Sequence, residues 1–218
     1  MKPTLLTMTL LVALAAAAGA SAQKPPKPPK QPHGVSLSAT PNPVKFGRSV
    51  TLVGKLTGPS RTGKTVSLWE DPFPFDHLTH VATASSDAQG DFSFQRSPAV
   101  NTNYQARQGG VESSTVTVSV SPRLSLRVSD RTPAAGTRVR FSGRICPQHD
   151  GTSLKIQRRV APNKWRTVGR VTTTSAGEEC STYARLLRVR RDRVFRTFFA
   201  ADQDHAAAAS RPRRIDVH

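Results

Sequence analysis

Aromatic side chains make up only 6% of the 218 residues, cysteine and methionine occur twice each, and 14 Asp+Glu stand against 32 Lys+Arg. The thin aromatic content leaves no interleaved ladder on which single-stranded bases would stack, which argues against specific nucleic-acid recognition. Two cysteines supply too few ligands for a zinc half-site built with His149. After residue 22 no run of about 18 apolar residues occurs, so no membrane-spanning helix is expected in the mature chain. Long stretches of helical period are missing as well. There is no G-x-S-x-G elbow, no H-E-x-x-H, no Gly-rich phosphate loop and no single Cys with a general base, so no catalytic residue, metal or cofactor is assigned and a non-enzymatic role is expected. The length admits one or two small domains and excludes a large multi-domain enzyme.

What is present begins with a leader. Lys2, an apolar stretch from Leu5 to Ala18 and the small triplet Ala20-Ser21-Ala22 have the three-part layout of a secretory signal peptide over 1–22, with cleavage expected after Ala22. The mature protein is therefore expected to be secreted or held in the cell envelope. Residues 23–33, QKPPKPPKQPH, carry five prolines and three lysines; fixed φ angles and missing donors predict an extended, semi-rigid linker.

From residue 34 onward short alternating runs are punctuated by Gly, Pro, Ser, Asn and Asp clusters, a pattern that predicts an all-β chain. It also repeats itself. LSATPNPVKFGRSVTLVGKL from Leu37 aligns without a gap on LRVSDRTPAAGTRVRFSGRI from Leu126, placing Gly54 on Gly143 and Leu56 on Ile145. Val66 and Leu68 follow against Leu154 and Ile156, and Gly90 against Gly177. Two copies of one domain, 34–121 and 122–218, are expected, each with about 90 residues and seven strands, the size of an immunoglobulin-like β-sandwich. The sets Val50, Leu52, Gly54, Leu56 and Val139, Phe141, Gly143, Ile145 alternate strictly and are assigned to the interior. Gly90, able to take φ > 0, predicts a hairpin turn.

The segments VSLSATPNPVKFGRSVTLVGKLTG, SDAQGDFSF and IQRRVAPNKWRTVGRVTTTSAG resemble tandem bacterial Ig-like domains found in exported proteins of high-GC actinobacteria. The resemblance covers nearly all of the mature chain and implies two tandem Ig-like β-sandwiches at an extracytoplasmic address. It carries no catalytic residue, because such domains serve as spacers, adhesive modules or ligand-binding modules.

Cys146 and Cys180, an even pair in an exported chain, are expected to form a disulfide. They fall at the end of the second strand and the start of the fifth in the second domain, strands that neighbour each other in an Ig sandwich, so the bridge is expected within one sheet.

Charge is distributed unequally. Residues 34–121 hold 7 Lys+Arg and 6 Asp+Glu, whereas residues 122–218 hold 21 and 8, and 19 of those 21 are Arg. Arg127, Arg138, Arg140, Arg144, Arg188 and Arg190 have strand period, which predicts six guanidinium groups on one solvent face. Planar guanidinium forks suit phosphate, so an anionic envelope polymer, lipopolysaccharide or DNA bound without sequence preference is one expected partner. A solvated face that resists aggregation has the same pattern. Trp69, Phe73 and Phe75 form a second candidate, for docking a protein partner. Trp69 should point outward, and the loop Asp71-Pro72-Phe73-Pro74-Phe75-Asp76 is expected to fold back over the open end of the sandwich. Trp165 is assigned to the core. Asp202, Asp204 and His205 form a short D-x-D-H cluster that lacks the ligands of a dedicated calcium loop and is assigned to a solvated hairpin. The favoured role is a structural or adhesive interaction module; polyanion binding is the alternative.

Overall fold

The computed structural model describes residues 33–218; the leader expected at 1–22 and all of the Pro/Lys linker except His33 lie outside the described residues. Among the described residues there is no helix, and hence none long and apolar enough to cross a membrane. The chain is all-β. Before Pro122 the strands are β1 (Gly34–Thr40), β2 (Val44–Lys45), β3 (Val50–Thr57), β4 (Thr65–Pro72), β5 (Thr79–Ser85), β6 (Asp91–Arg96), β7 (Thr102–Gln108), β8 (Val111–Glu112), β9 (Val116–Val118) and β10 (Val120–Ser121). After it come β11 (Arg123–Leu124), β12 (Arg127–Val128), β13 (Arg138–Cys146), β14 (Ser153–Ala161), β15 (Lys164–Thr172), β16 (Thr174–Ser175), β17 (Ser181–Arg188), β18 (Arg193–Phe199), β19 (Ala208–Ala209) and β20 (Arg213–Ile215).

Before Pro122 a sheet of order β1-β3-β6 packs against one of order β5-β4-β7-β8, with β9 also on β7 and β10 running parallel to β2. Between them lies one core: Val50 and Leu52 from β3, Val66 and Leu68 from β4, Phe92 and Phe94 from β6, Tyr104 and Ala106 from β7. After Pro122 a sheet of order β11-β13-β17-β16, with β12 on β13, faces one of order β15-β14-β18-β19, with β20 on β18. Its interior is two adjoining clusters, one around Val139, Phe141 and Phe195, the other around Ile145, Leu154 and Phe199. Both halves are thus sandwich-like, and among the described residues no strand pairing crosses Pro122. The described residues nonetheless form one compact unit, because loops from the two halves interlock.

The interior sets fall where period-2 alternation requires: Val50, Leu52, Val139, Phe141 and Ile145 are fully buried and Leu56 is nearly so. The aligned glycines explain themselves structurally. At Gly54 a Cβ would collide with the carbonyl of Ser36 and the ring of Phe92; at Gly143 it would collide with the carbonyl of Ser125 and the ring of Tyr183. At both places a serine on the facing strand exchanges hydrogen bonds with the residue after the glycine. Ser36 Oγ accepts from Lys55 N at 3.1 Å and Ser125 Oγ from Arg144 N at 2.9 Å, and each hydroxyl donates back to the same residue's carbonyl. The strand is drawn in so tightly that only hydrogen fits. Gly90 and Gly177 take φ of 85° and 95°, the left-handed region their aligned turns require.

Cys146 and Cys180 are bonded. They lie beside the pair Ile145↔Ser181 of β13 and β17, so the bridge clasps two strands of one sheet. Closing a loop of this length contributes on the order of 3–4 kcal/mol in the chain-entropy account.

Trp165 departs from its assignment to the core. Register shifts on β14 between Ile156 and Gln157 and again after Arg159 interrupt the alternation, and Trp165 comes to pair with Arg159 and to lie half-buried under the Arg196 guanidinium, 4.2 Å from the ring centroid. A bulge also precedes Trp69 in the β4–β5 ladder; Trp69 points outward as expected, covered by Arg107 at 4.5 Å.

Two consequences can be measured. Gly143→Ala should cost about 2–3 kcal/mol, because the new methyl has a backbone carbonyl in its way that cannot rotate aside. A urea midpoint lowered at unchanged m-value is the expected reading, and an unchanged midpoint would show that the two strands can separate freely. Burial pushes the hydroxyls of Tyr104 and Tyr183 from the ordinary 10.0 up to about 12, with the Glu70 charge adding to the effect at Tyr104. Because folding raises these values, the stability they carry is complete below pH 10 and is lost as the pH climbs from 10 to 12, on the order of 2–3 kcal/mol for each ring. Denaturant midpoints measured across that range should fall more steeply for the wild type than for Tyr183→Phe.

Candidate functional site

The arginine face is built by β12, β13 and β17. Burying Val139, Phe141 and Ile145 sends Arg138, Arg140 and Arg144 to the opposite side of the strand. Pairing then sets Arg188 across from Arg138, Leu186 across from Arg140, Thr182 across from Arg144, and Arg127 across from Ser142. All five arginines are exposed, and the sole large apolar group among them, Leu186, is 55% exposed. Arg144 and Arg188 reach backbone carbonyls, of Ala176 and Gly136, each at 3.4 Å. Among the described residues none of the five is ion-paired with an acid. Arg190 stands apart from them: β17 ends at Arg188, and Arg190 lines an open groove of about 420 Å³ with Arg158, Arg191 and Arg193 over Leu187 and Phe195. Arg188 borders the same groove, so the face and the groove are contiguous.

The aromatic loop does not close the sandwich. Phe73 and Phe75 meet edge to face at 5.6 Å, neither joins the core, and Phe75 is 38% exposed with φ of 67°. The loop turns on Pro72, whose carbonyl accepts from Phe75 N, while Phe73 N donates to Asn101 O. Trp69 is not available in the same way. Its indole Nε1 donates to Ser67 Oγ at 3.2 Å, Arg107 covers one face, and His80 lies 5.6 Å away. The three aromatics therefore do not form one surface.

A cluster the sequence reading dispersed is brought together by the fold. The loop 200–207 between β18 and β19 is not a solvated hairpin: His205 is 2% exposed, and its neighbour across the cluster, His149 from the β13–β14 loop, is 8% exposed. One polar atom from each of His149, Asp202, Asp204 and His205 lies within 4.8 Å of the others. His149 is seated by its backbone N donating to Ser181 Oγ at 2.8 Å and by ring contacts to Phe199 and His205 at 4.8 and 4.7 Å. Its Nδ1 faces the Pro147 carbonyl at 2.8 Å, and His205 Nε2 faces the Ala99 carbonyl at 2.9 Å. A carbonyl only accepts, so each of those nitrogens carries a hydrogen, and in the neutral ring the lone pair belongs to the other nitrogen. Those two atoms, His149 Nε2 and His205 Nδ1, are buried without a hydrogen-bond partner. Asp204 Oδ1 lies 3.2 Å from His205 Nδ1, a bonding distance without bonding alignment, and Asp202 Oδ2 lies 3.7 Å from His149 Nε2.

The two carboxylates shift in opposite directions. Burial pushes Asp202 above the ordinary carboxyl value, and the hydrogen bond and charge of Asp204 push the same way. Burial opposes ionisation of Asp204 too, but the hydrogen bond with Asp202 and the proximity of His205 outweigh it and hold Asp204 below its ordinary value.

The same loop is the seam between the two halves. Asn101 N donates to Asp204 O at 2.8 Å, Asn101 Nδ2 to Gln203 O at 3.2 Å, and Ala206 N to Val120 O at 2.7 Å. Asn101 Oδ1 in turn accepts from Val120 N. His149 lies more than fifty positions before Asp202, on a different loop; the D-x-D-H spacing marked three of the four residues, and no local pattern marks the fourth. No protein-family model matches this sequence, nor does any curated protein.

Proposed function

We propose that the chain is an exported, non-enzymatic module of two tandem Ig-like sandwiches, 34–121 and 122–218, that attaches to extracellular polyanions through the arginine face of the second. The observation that carries this reading is the run of Arg127, Arg138, Arg140, Arg144 and Arg188 on one side of a single sheet with no acid paired to any of them. Guanidinium groups on adjacent strands lie close enough to engage successive anionic groups of a flexible polymer, and each can fork onto two oxygens. With no ion pair to break among the described residues, the face can meet an anion without first giving up an acidic partner. The strand ladder presets the backbone spacing, so the ordering that binding adds falls on the exposed side chains and not on the backbone. The Leu186 side chain at the centre admits a polymer that carries apolar substituents between its charges.

A protein partner is the second reading, favoured by the Phe73–Phe75 pair, of which Phe75 is exposed and Phe73 half-buried, on a proline-stiffened loop outside the core. The two readings separate on salt. A phosphate polymer held by several arginines should release steeply as ionic strength rises from about 50 to 200 mM, whereas docking on Phe73 and Phe75 should not.

Fluorescence anisotropy with labelled inorganic polyphosphate tests the proposal. Substituting Arg138, Arg140 and Arg188 together by Ser should weaken binding at least tenfold and flatten the salt dependence, with the disulfide and the far-ultraviolet spectrum unchanged. Wild-type affinity in that variant would refute the arginine face as the site.

A further inference from the structure

We propose that His149, Asp202, Asp204 and His205 bind one divalent transition-metal ion of the zinc class, and that this ion ties the loop 200–207 to the loop 147–152 at the seam between the two halves. The inference is independent of the polyanion reading, which concerns a different surface.

Four observations converge. The donor set is two imidazoles and two carboxylates, which suits zinc and its neighbours in the first transition row. It does not suit calcium, which takes six to eight oxygens. Both imidazoles are oriented from behind by backbone carbonyls, Pro147 O for His149 and Ala99 O for His205, which is the second-shell arrangement that fixes the tautomer of a metal-ligating histidine. The nitrogens thereby left with lone pairs, His149 Nε2 and His205 Nδ1, are buried and unpartnered, and they point into the same cluster. An unpaired buried acceptor carries a desolvation cost, which a cation bound in the cluster removes.

The spacing fits as well. Tetrahedral bonds of 2.0–2.1 Å set neighbouring ligand atoms about 3.3–3.5 Å apart. His205 Nδ1 and Asp204 Oδ1 are 3.2 Å apart, His149 Nε2 and Asp202 Oδ2 3.7 Å. The carboxylates are the adjustable members, their side chains 38% and 37% exposed, while the imidazoles at 6% and 2% are fixed. Asp202 is half committed: its Oδ1 accepts from His205 N at 2.8 Å, closing a tight turn that holds Oδ2 toward His149.

The position gives the ion a structural task. His205 reaches across the seam to Ala99, and Asp204 accepts from Asn101 through its backbone. His149 sits two residues after Pro147, on the loop that leaves the strand clasped by Cys146 and Cys180. Metal bound here joins two segments that are distant in sequence, one of which also rests on Ala99 and Asn101, and its binding free energy adds to the stability of that junction.

The full mature chain, freed of metal by chelator and dialysis, should take up one equivalent of Zn²⁺ in competition with a chromophoric chelator. Co²⁺ in its place should show the visible bands of a four-coordinate site. The Asp202→Asn, Asp204→Asn double variant keeps the size and hydrogen-bonding reach of both side chains, so it should fold and yet bind Zn²⁺ at least a hundredfold more weakly. A His33→Ala, His218→Ala variant should bind as the wild type does. Millimolar Ca²⁺ or Mg²⁺ should not displace the zinc. The proposal is overturned if no stoichiometric zinc is taken up, if the double aspartate variant binds as tightly as the wild type, or if removal of His33 and His218 abolishes the uptake.

Discussion

Side chains on a strand alternate between two faces, and in this protein that geometry ties the interior to the exterior. On β13 the commitment of Val139, Phe141 and Ile145 to the core obliges Arg138, Arg140 and Arg144 to face solvent together, and pairing with β17 adds Arg188 to the same side. The charge pattern is therefore enforced by the hydrophobic effect. A slip of one residue between β13 and its neighbours would bury three guanidinium groups without partners, a penalty far beyond anything the sheet could recover. Register, core and basic surface are one constraint.

The second organising element is a pair of close approaches. Gly54 and Gly143 let a neighbouring strand and an aromatic ring settle where a side chain would stand, and Ser36 and Ser125 complete the contact with the same exchange of hydrogen bonds. The recurrence of glycine, serine and ring at matching places in both halves is the structural counterpart of the sequence repeat. The halves then diverge: the first keeps its outer faces nearly neutral, while the second acquires a disulfide, an arginine face and the loop 200–207 that locks onto Asn101 and Val120. Both halves have a sandwich-like scaffold; what differs is what each presents.

Much of this could be read from the chain. Alternation marked the inward residues of β3 and β13, the aligned Gly90 and Gly177 fell in turns, and the two cysteines fell beside paired strands. The failures share a cause, since each depends on a feature that breaks period two or joins distant segments. Trp165 left the core because the register shift at Val168 of β15 turns the residues before it to the other face. Arg190 lies past the end of β17 and lines the groove that adjoins the face at Arg188. Phe73 and Phe75 packed on each other and not on the core, their loop held by Asn101 and its own turn. His149 meets Asp202, Asp204 and His205 only through tertiary folding, and the burial of that cluster comes from an interlock between halves that no local spacing encodes.

The central claim is that register places a working anion surface on one sheet of the second half. Amide hydrogen exchange with and without saturating polyphosphate examines it most directly, because it maps contact along the whole chain at once. The account requires slowed exchange concentrated in β12, β13 and β17, with β3, β4 and β7 unaffected. Slowing spread evenly over both halves, or confined to the loop carrying Phe73 and Phe75, would contradict it.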